Sequence, residues 1–299
     1  EKRNSAFGYA DRFDEKYDLV RSLRKGKYKY MRNYQPFNVD GLYNFYRYKM
    51  LAYKEWYTLF QDGKLNDIQS QFFKPKSPES LYNIEEDPHE TTNLANDIAY
   101  NDILITMRED LNNHLMSIND LSFLPEPYFL KNGIDDVVEY SAQNKTLIKK
   151  LIETSNLQLE DYDEVSSQIK NSLNDDNPWV RYWGLIVCSS FGSKAMENKD
   201  KINVIFENDS ENLVRMRAAE FMLLNDIELS DSKINSLLKR SNFEAEANLM
   251  LNTLANIKTI NPKYKLNLNK NVFPENWIPP IREENALVNR RMNYLTENE

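Results

Sequence analysis

Leu81-Tyr82-Asn83-Ile84-Glu85-Glu86-Asp87-Pro88-His89-Glu90-Thr91-Thr92-Asn93-Leu94-Ala95 decides how this chain is read. Leu81 to Ile84 reads as a short strand. Asp87-Pro88 starts a turn, because proline fixes its own φ and pushes the residue before it out of helical space. Glu90 is expected to pin that turn by accepting backbone N–H groups, and His89 and Glu90 are read as turn-holding residues. Asn93 and Asn96 flank a short irregular stretch. From Asp97, the apolar residues Tyr100, Leu104, Met107, Leu111 and Leu115 recur at three and four, the period of a helix that continues to Ile118. The pattern is therefore strand, fixed turn, then a long helix laid across a sheet.

Upstream, Tyr17 to Arg24 and Lys27 to Tyr34 read as strands joined at Lys25-Gly26, a hairpin signal. Tyr43 to Gln61 is dense in aromatics and reads as a helix or a loop plus helix. A second short helix follows through Leu65 to Phe72. Aromatics at helical spacing fit core packing; sugar stacking is the alternative. A second unit begins near Asp135, where Val137, Val138, Leu147, Ile148, Leu151 and Ile152 suggest helices. Leu173-Asn174-Asp175-Asp176-Asn177-Pro178-Trp179-Val180-Arg181-Tyr182-Trp183-Gly184-Leu185 is then echoed by Phe206-Glu207-Asn208-Asp209-Ser210-Glu211-Asn212-Leu213-Val214-Arg215-Met216-Arg217-Ala218-Ala219, with Val180-Arg181 and Val214-Arg215 in equivalent places. A weaker third copy runs from Ile234 through Leu237-Leu238 to Leu254. Stacked helix pairs bury a face that one pair cannot bury alone. Asp176, Asp209, Arg181 and Arg215 are expected to make contacts between repeats, and Trp179 is expected to be buried. The tail through Pro274 to Pro280 cannot be helical; it reads as an extended strap ended by a short charged helix from Glu283.

The opening stretch resembles the C-terminal signature of type I, formylglycine-dependent sulfatases, in which L-Y-D or L-Y-N precedes D-P-x-E-x-x-N-L-A and a long helix. Blocks on either side, in sensible order, are similar to the same family: Tyr9 to Arg21, Lys27 to Tyr34, Gly63 to Asn66, Gln71 to Lys76, Pro78 to Tyr82 and Asp120 to Glu126. The resemblance covers residues 7 to 126 and points to the branch with many bacterial polysaccharide sulfatases; the motif block also looks like N-sulfoglucosamine sulfohydrolase. The repeats resemble HEAT repeats. The fold class expected is α+β: a small antiparallel sheet with a long packed helix over residues 1–130, an all-α HEAT-like helical-repeat domain over 131–270, and an extended tail over 271–299.

The resemblance implies hydrolysis of sulfate esters, or an N-sulfate, of a sulfated glycan whose identity stays open. It places the nucleophile and the calcium site in an N-terminal sulfatase domain upstream of Glu1, which would be this chain's partner. The family's C-x-P-S-R or C-x-A-x-R motif is absent: Cys188 sits in Val187-Cys188-Ser189-Ser190-Phe191. Catalytic residues, metal ligands and cofactors are therefore expected to be none here, and the segment alone is expected to be inactive. The resemblance favours a periplasmic or secreted location. A non-catalytic helical-repeat binding or scaffold module is the alternative.

Composition narrows the rest. The 299 residues allow about two domains. Seven glycines are too few for glycine-rich phosphate loops. One cysteine excludes an internal disulfide framework. No apolar run is long enough to span a bilayer. Residues 1 to 84 carry 16 Lys/Arg and 10 Asp/Glu, a net of +6, so the total of −8 leaves −14 for residues 85 to 299. Nucleic acid is a poor partner for so acidic a remainder. The six basic residues from Arg21 to Arg32 either steer a polyanionic glycan or protect a hairpin edge with solvated lysines.

Asp11, Arg12, Asp14 and Glu15 are the candidate substrate-binding residues. Their segment is charged and sits at a strand end before the hairpin, where loops carry function. A planar guanidinium suits a sulfate group, and Asp14 or Glu15 would orient it or accept from sugar hydroxyls. The competing reading is an ion pair of Arg12 with Asp14 or Glu15.

Overall fold

The computed structural model describes residues 4–261, 264–283 and 285–296. Four strands, β1 (Ser5–Phe13), β2 (Lys16–Lys25), β3 (Tyr28–Asn33) and β4 (Glu79–Asn83), form an antiparallel sheet in sequence order. The β2–β3 hairpin turns at Gly26, whose φ of 61° suits a residue without Cβ. The β1–β2 hairpin turns at Asp14, with φ 50°, a conformation that a short polar side chain tolerates. β1 is a strand where the sequence suggested only a segment before a hairpin. It lies on the sheet's edge with a register shift between Ala10 and Arg12, and neither face shows a continuous buried row.

Between β3 and β4 the chain makes an excursion containing α1 (Leu51–Gln61) and the one-turn α2 (Asp67–Ser70). The aromatics pack against one another: Trp56 stacks on Phe72 at 4.7 Å and Phe60 on Phe73 at 4.8 Å. Gly41 lets Phe73 in, since a Cβ there would lie 2.4 Å from the ring. After β4 comes the motif turn, held by Asp87 and Asn93 rather than Glu90. The Asp87 carboxylate accepts the N–H groups of Thr91 and Thr92 at 2.7 and 2.8 Å, and Asn93 Oδ1 accepts that of Leu81 at 3.0 Å. Glu90 has φ 55° and pairs with Lys29 at 2.7 Å. α3 (Asn101–Ile118) then crosses the sheet, burying Leu104, Met107, Leu111 and Leu115 as its period required.

The remaining helices are α4 (Glu126–Asn132), α5 (Val137–Gln143), α6 (Lys145–Asn156), α7 (Tyr162–Leu173), α8 (Pro178–Phe191), α9 (Lys199–Asn208), α10 (Asn212–Leu224), α11 (Asp231–Lys239), α12 (Glu244–Ile260) and α13 (Leu287–Thr296). α8, α10 and α12 form an inner row, each packed on the next, with α7 and α9 outside them. The inner helices are buried on nearly all sides, and the charged pair buried in α10, Arg217 and Glu220, is satisfied by its own bonds at 2.8 and 2.9 Å. Neighbouring turns are tied together: Arg181 forks onto Asp209 at 2.7 and 3.0 Å, and Arg240 and Asn212 exchange bonds at 2.9 and 3.0 Å. Arg215 instead caps the carbonyl of Phe206 at 2.6 Å. Trp179 is buried.

The sheet and the helical row share one hydrophobic core. Three asparagines on one face of α12 hydrogen-bond the backbone of the sheet half. Asn252 accepts the Tyr17 N–H at 2.9 Å and donates to its carbonyl at 3.1 Å; Asn248 donates to Glu15 and Asn256 to Phe37. Trp183 donates to the Phe123 carbonyl at 2.7 Å, and buried Arg32 donates to that of Ser155 at 2.9 Å. The tail is more than a strap. α13 begins at Leu287 rather than near Glu283, packs on α12, and buries Val288, Met292 and both Arg290 and Arg291.

Candidate functional site

The bulge at Ala10–Arg12 and the tight Asp14 turn set the direction of the four candidate side chains. Asp11 and Arg12 point to the segment that follows α3. Asp11 Oδ1 receives Arg21 Nη1 at 2.5 Å, and its other oxygen accepts from Ser122 Oγ at 2.8 Å. Arg21 also donates Nε to Asp120 at 2.6 Å. Burial opposes the Arg21 charge, but the bonds to Asp120 and Asp11 outweigh it and raise its pKa. Arg12 Nε lies 2.7 and 3.0 Å from the two oxygens of Glu126; its Nη2 also meets that carboxylate, and Nη1 donates to the Asp14 carbonyl at 3.0 Å. The Arg12 and Glu126 side chains remain 22% and 24% exposed. Arg12 thus pairs with a residue far along the chain, not with the carboxylates of Asp14 or Glu15.

Asp14 is half-buried, and its carboxylate lies 3.5 Å from Asn44 Nδ2. Glu15 is fully buried beneath the turn, where its carboxylate accepts the Phe45 N–H at 2.5 Å. In this conformation Glu15 positions the loop after β3 and does not face solvent. Arg291 reinforces that junction by donating to the carbonyls of Glu15 and Tyr43.

Beside the network runs a groove of about 250 Å³ between β1 and α3. Its floor carries Asp11, Arg21, Asp120 and Ser122, and its walls carry Phe7, Tyr9, His114 and Ile118. His114 stacks on Phe7 with ring centroids 3.6 Å apart. The arrangement offers a partly exposed guanidinium, Arg12, beside the groove, and several carboxylate acceptors near a fixed strand end. Asp120, Ser122, Glu126 and His114 belong to it and were not among the sequence candidates. The first three lie in or at the end of the Asp120–Glu126 block, which was the available signal.

The basic run from Arg21 to Arg32 is largely neutralised. Arg21 serves Asp11 and Asp120, Lys25 pairs with Asp110, Lys29 with Glu90, and Lys27 approaches Glu86 at 3.9 Å. Arg32 is buried on carbonyls.

Cys188 is fully buried in α8, and burial pushes its thiol up to about 12, the opposite of an activated nucleophile. Among the described residues no three His, Cys, Asp or Glu side chains converge as metal ligands. No described helix is long and apolar enough to cross a membrane.

No family model matches the chain. It is 34% identical over 177 residues to the "Ulvan-active sulfatase" of Formosa agariphila, an alignment that covers 59% of this chain and 26% of that protein. The matched region spans about a quarter of that relative's length. The likeness supports a sulfatase relationship.

Proposed function

We propose that this chain is the C-terminal part of a sulfatase that hydrolyses sulfate esters, or an N-sulfate, of a sulfated glycan. The observation that carries the reading is the 34% identity to a sulfatase over more than half the chain, joined to a strand, Asp-Pro turn and long helix in the order the family resemblance requires. In this reading the chain forms one wall of the substrate pocket, at the first hairpin. Arg12 presents its guanidinium edge to a sulfate or carboxylate oxygen, and Asp11 accepts from a sugar hydroxyl. Asp14 and Glu15 hold the turn that aims them. The formylglycine nucleophile and calcium belong to an upstream sulfatase domain, and the protein works in the periplasm or outside the cell. The helical row, read as HEAT-like repeats, buttresses this wall. A free-standing scaffold module is the weaker reading, because the α12 face that would receive a partner is spent on Glu15, Tyr17 and Phe37.

The test is sulfate release from a panel of sulfated polysaccharides, ulvan included, by residues 1–299 and by the polypeptide extended upstream of Glu1. Release by the extended form only is expected. Release by neither form overturns the sulfatase reading. Release by residues 1–299 alone overturns the assignment of the chemistry to an upstream domain.

A further inference from the structure

The tail helix α13 carries Arg291 into the junction behind the first hairpin. The side chain has no exposure, and its guanidinium serves three places at once. Nε and Nη2 donate to the Glu15 carbonyl at 3.2 and 3.1 Å, Nη2 also to Asn252 Oδ1 at 2.8 Å, and Nη1 to the Tyr43 carbonyl at 2.7 Å. A planar fork of fixed donors spans such a set; the point charge of a lysine does not.

The three places are a turn, the loop beside it and a helix. The turn is Asp14-Glu15, which joins β1 to β2. The loop Tyr43-Asn44-Phe45 is fastened to it: Asn44 Nδ2 donates to the Phe13 carbonyl at 3.1 Å, and the Phe45 N–H to the Glu15 carboxylate at 2.5 Å. On α12, Asn252 fixes both backbone groups of Tyr17, two residues past the turn. The other carbonyl of the turn, that of Asp14, accepts Arg12 Nη1 at 3.0 Å. Adjacent carbonyls of one turn thus meet two arginines, Arg12 and Arg291.

We infer that Arg291 is a positioning residue for the proposed substrate wall: through the Glu15 carbonyl it holds the turn that aims Arg12. The inference rests on the proposed sulfatase reading. It adds a dependence of the site on α13, 276 positions downstream of Glu15. Stability alone is a weak reason for such an arginine. Burial pulls its guanidinium down to about 10, and Glu15 leads the groups that oppose the fall. Apolar residues of similar volume often replace a buried ion without loss. Glu15 is buried as well, and its Oε2 has no partner among the described residues. What the two ions supply is direction, since each fixes backbone groups at the same turn. Placement of this kind matters to a site, because a shift of about 1 Å can cost about a hundredfold in rate. Arg12 stays tied to Glu126 when the turn loosens, so a smaller loss is expected.

The experiment is a double-mutant cycle in the polypeptide extended upstream of Glu1, read as kcat/KM for sulfate release from sulfated polysaccharides, ulvan included. Arg291→Lys keeps a cation but loses the fork. It should fold and lower kcat/KM about tenfold. In the Arg12→Ala background the same substitution should change kcat/KM by less than about twofold, because the group it positions is gone. An arginine with only a structural role would cost the same factor in both backgrounds. The uncharged Arg291→Gln is the second variant and should follow the same pattern. Equal losses in the two backgrounds, no loss from either substitution, or failure of both variants to fold overturns the positioning role. Any of these with sulfate release by the wild type spares the proposed function. No release by the wild type removes that reading, and the positioning role with it.

Discussion

Arg12 and Glu126 are 114 positions apart in the chain and form a two-pronged ion pair, Nε lying 2.7 and 3.0 Å from the two carboxylate oxygens. The pair bolts the end of β1 to the start of α4. The Arg12 side chain stays 22% exposed, so the same residue can serve structure and ligand. The two roles separate by measurement. Arg12→Ala should cost at most about 1 kcal/mol of stability, the worth of a partly exposed pair. In the extended polypeptide it should lower kcat/KM on a sulfated glycan about tenfold or more, equivalent to about 1.4 kcal/mol of transition-state binding. Unchanged kcat/KM, or an unfolded variant, removes Arg12 from the substrate wall.

Asn252 provides a test of how the two halves hold together. It completes both backbone bonds of Tyr17, and each of those groups is buried. Asn252 also accepts from Arg291 at 2.8 Å. Asn252→Leu keeps the volume but strands a buried N–H and a buried carbonyl. Unsatisfied groups of this kind cost about 1–3 kcal/mol each, so chemical denaturation should show a loss of at least about 2 kcal/mol. A loss below about 0.5 kcal/mol would mean that the contact carries no weight.

Local signals were legible in the sequence and distant ones were not. The α3 stripe of Leu104, Met107, Leu111 and Leu115 and the Gly26 hairpin follow from period and turn chemistry alone. The Val180-Arg181 and Val214-Arg215 echo located two helix starts that the structure places in equivalent turns. β1 was missed because an edge strand without a continuous buried face shows no alternation to read. The Asp11 and Arg12 partners, Ser122 and Glu126, lie more than 100 residues away and are fixed only by the fold. Arg290 and Arg291 looked like a charged tail; their heads are buried because they reach carbonyls such as Glu15, 276 positions upstream of Arg291. Asn248, Asn252 and Asn256, four apart on an otherwise apolar helix, were a visible signal left unread.

Cys188 gives a direct check on the buried inner row. Its thiol has no exposure and is pushed up to about 12 by burial. A thiol-reactive disulfide reagent at pH 8 should therefore label no residue in the native chain within minutes and one residue after denaturation. Rapid native labelling would place α8 at the surface and undo the packing of α8 on α10.

The last prediction concerns pH. Asp18 is buried, its carboxylate 2.5 Å from Lys76 Nζ, and it also accepts the Leu19 N–H at 2.9 Å. Burial alone would raise its pKa; Lys76, Lys16 and the Leu19 N–H outweigh that and hold it below its ordinary 3.8. A carboxylate depressed in the folded state binds its proton more weakly there than in the unfolded chain. Its stabilisation is therefore complete above about pH 4 and is lost as pH falls through the folded value. Lys76 runs the opposite way. Burial opposes its charge, but Asp18 and Asp40 outweigh burial and raise its pKa, so its contribution is complete below 10.5 and fades only in strong alkali. Asp18→Asn should cost about 2 kcal/mol at pH 7, because Lys76 keeps only Asp40 as an anionic partner. The difference between wild type and variant should then shrink between pH 4 and pH 2. Denaturant titrations at pH 7, 4, 3 and 2 measure this directly, and acid limbs that run parallel for the two proteins would show that Asp18 is not a group whose protonation drives acid unfolding.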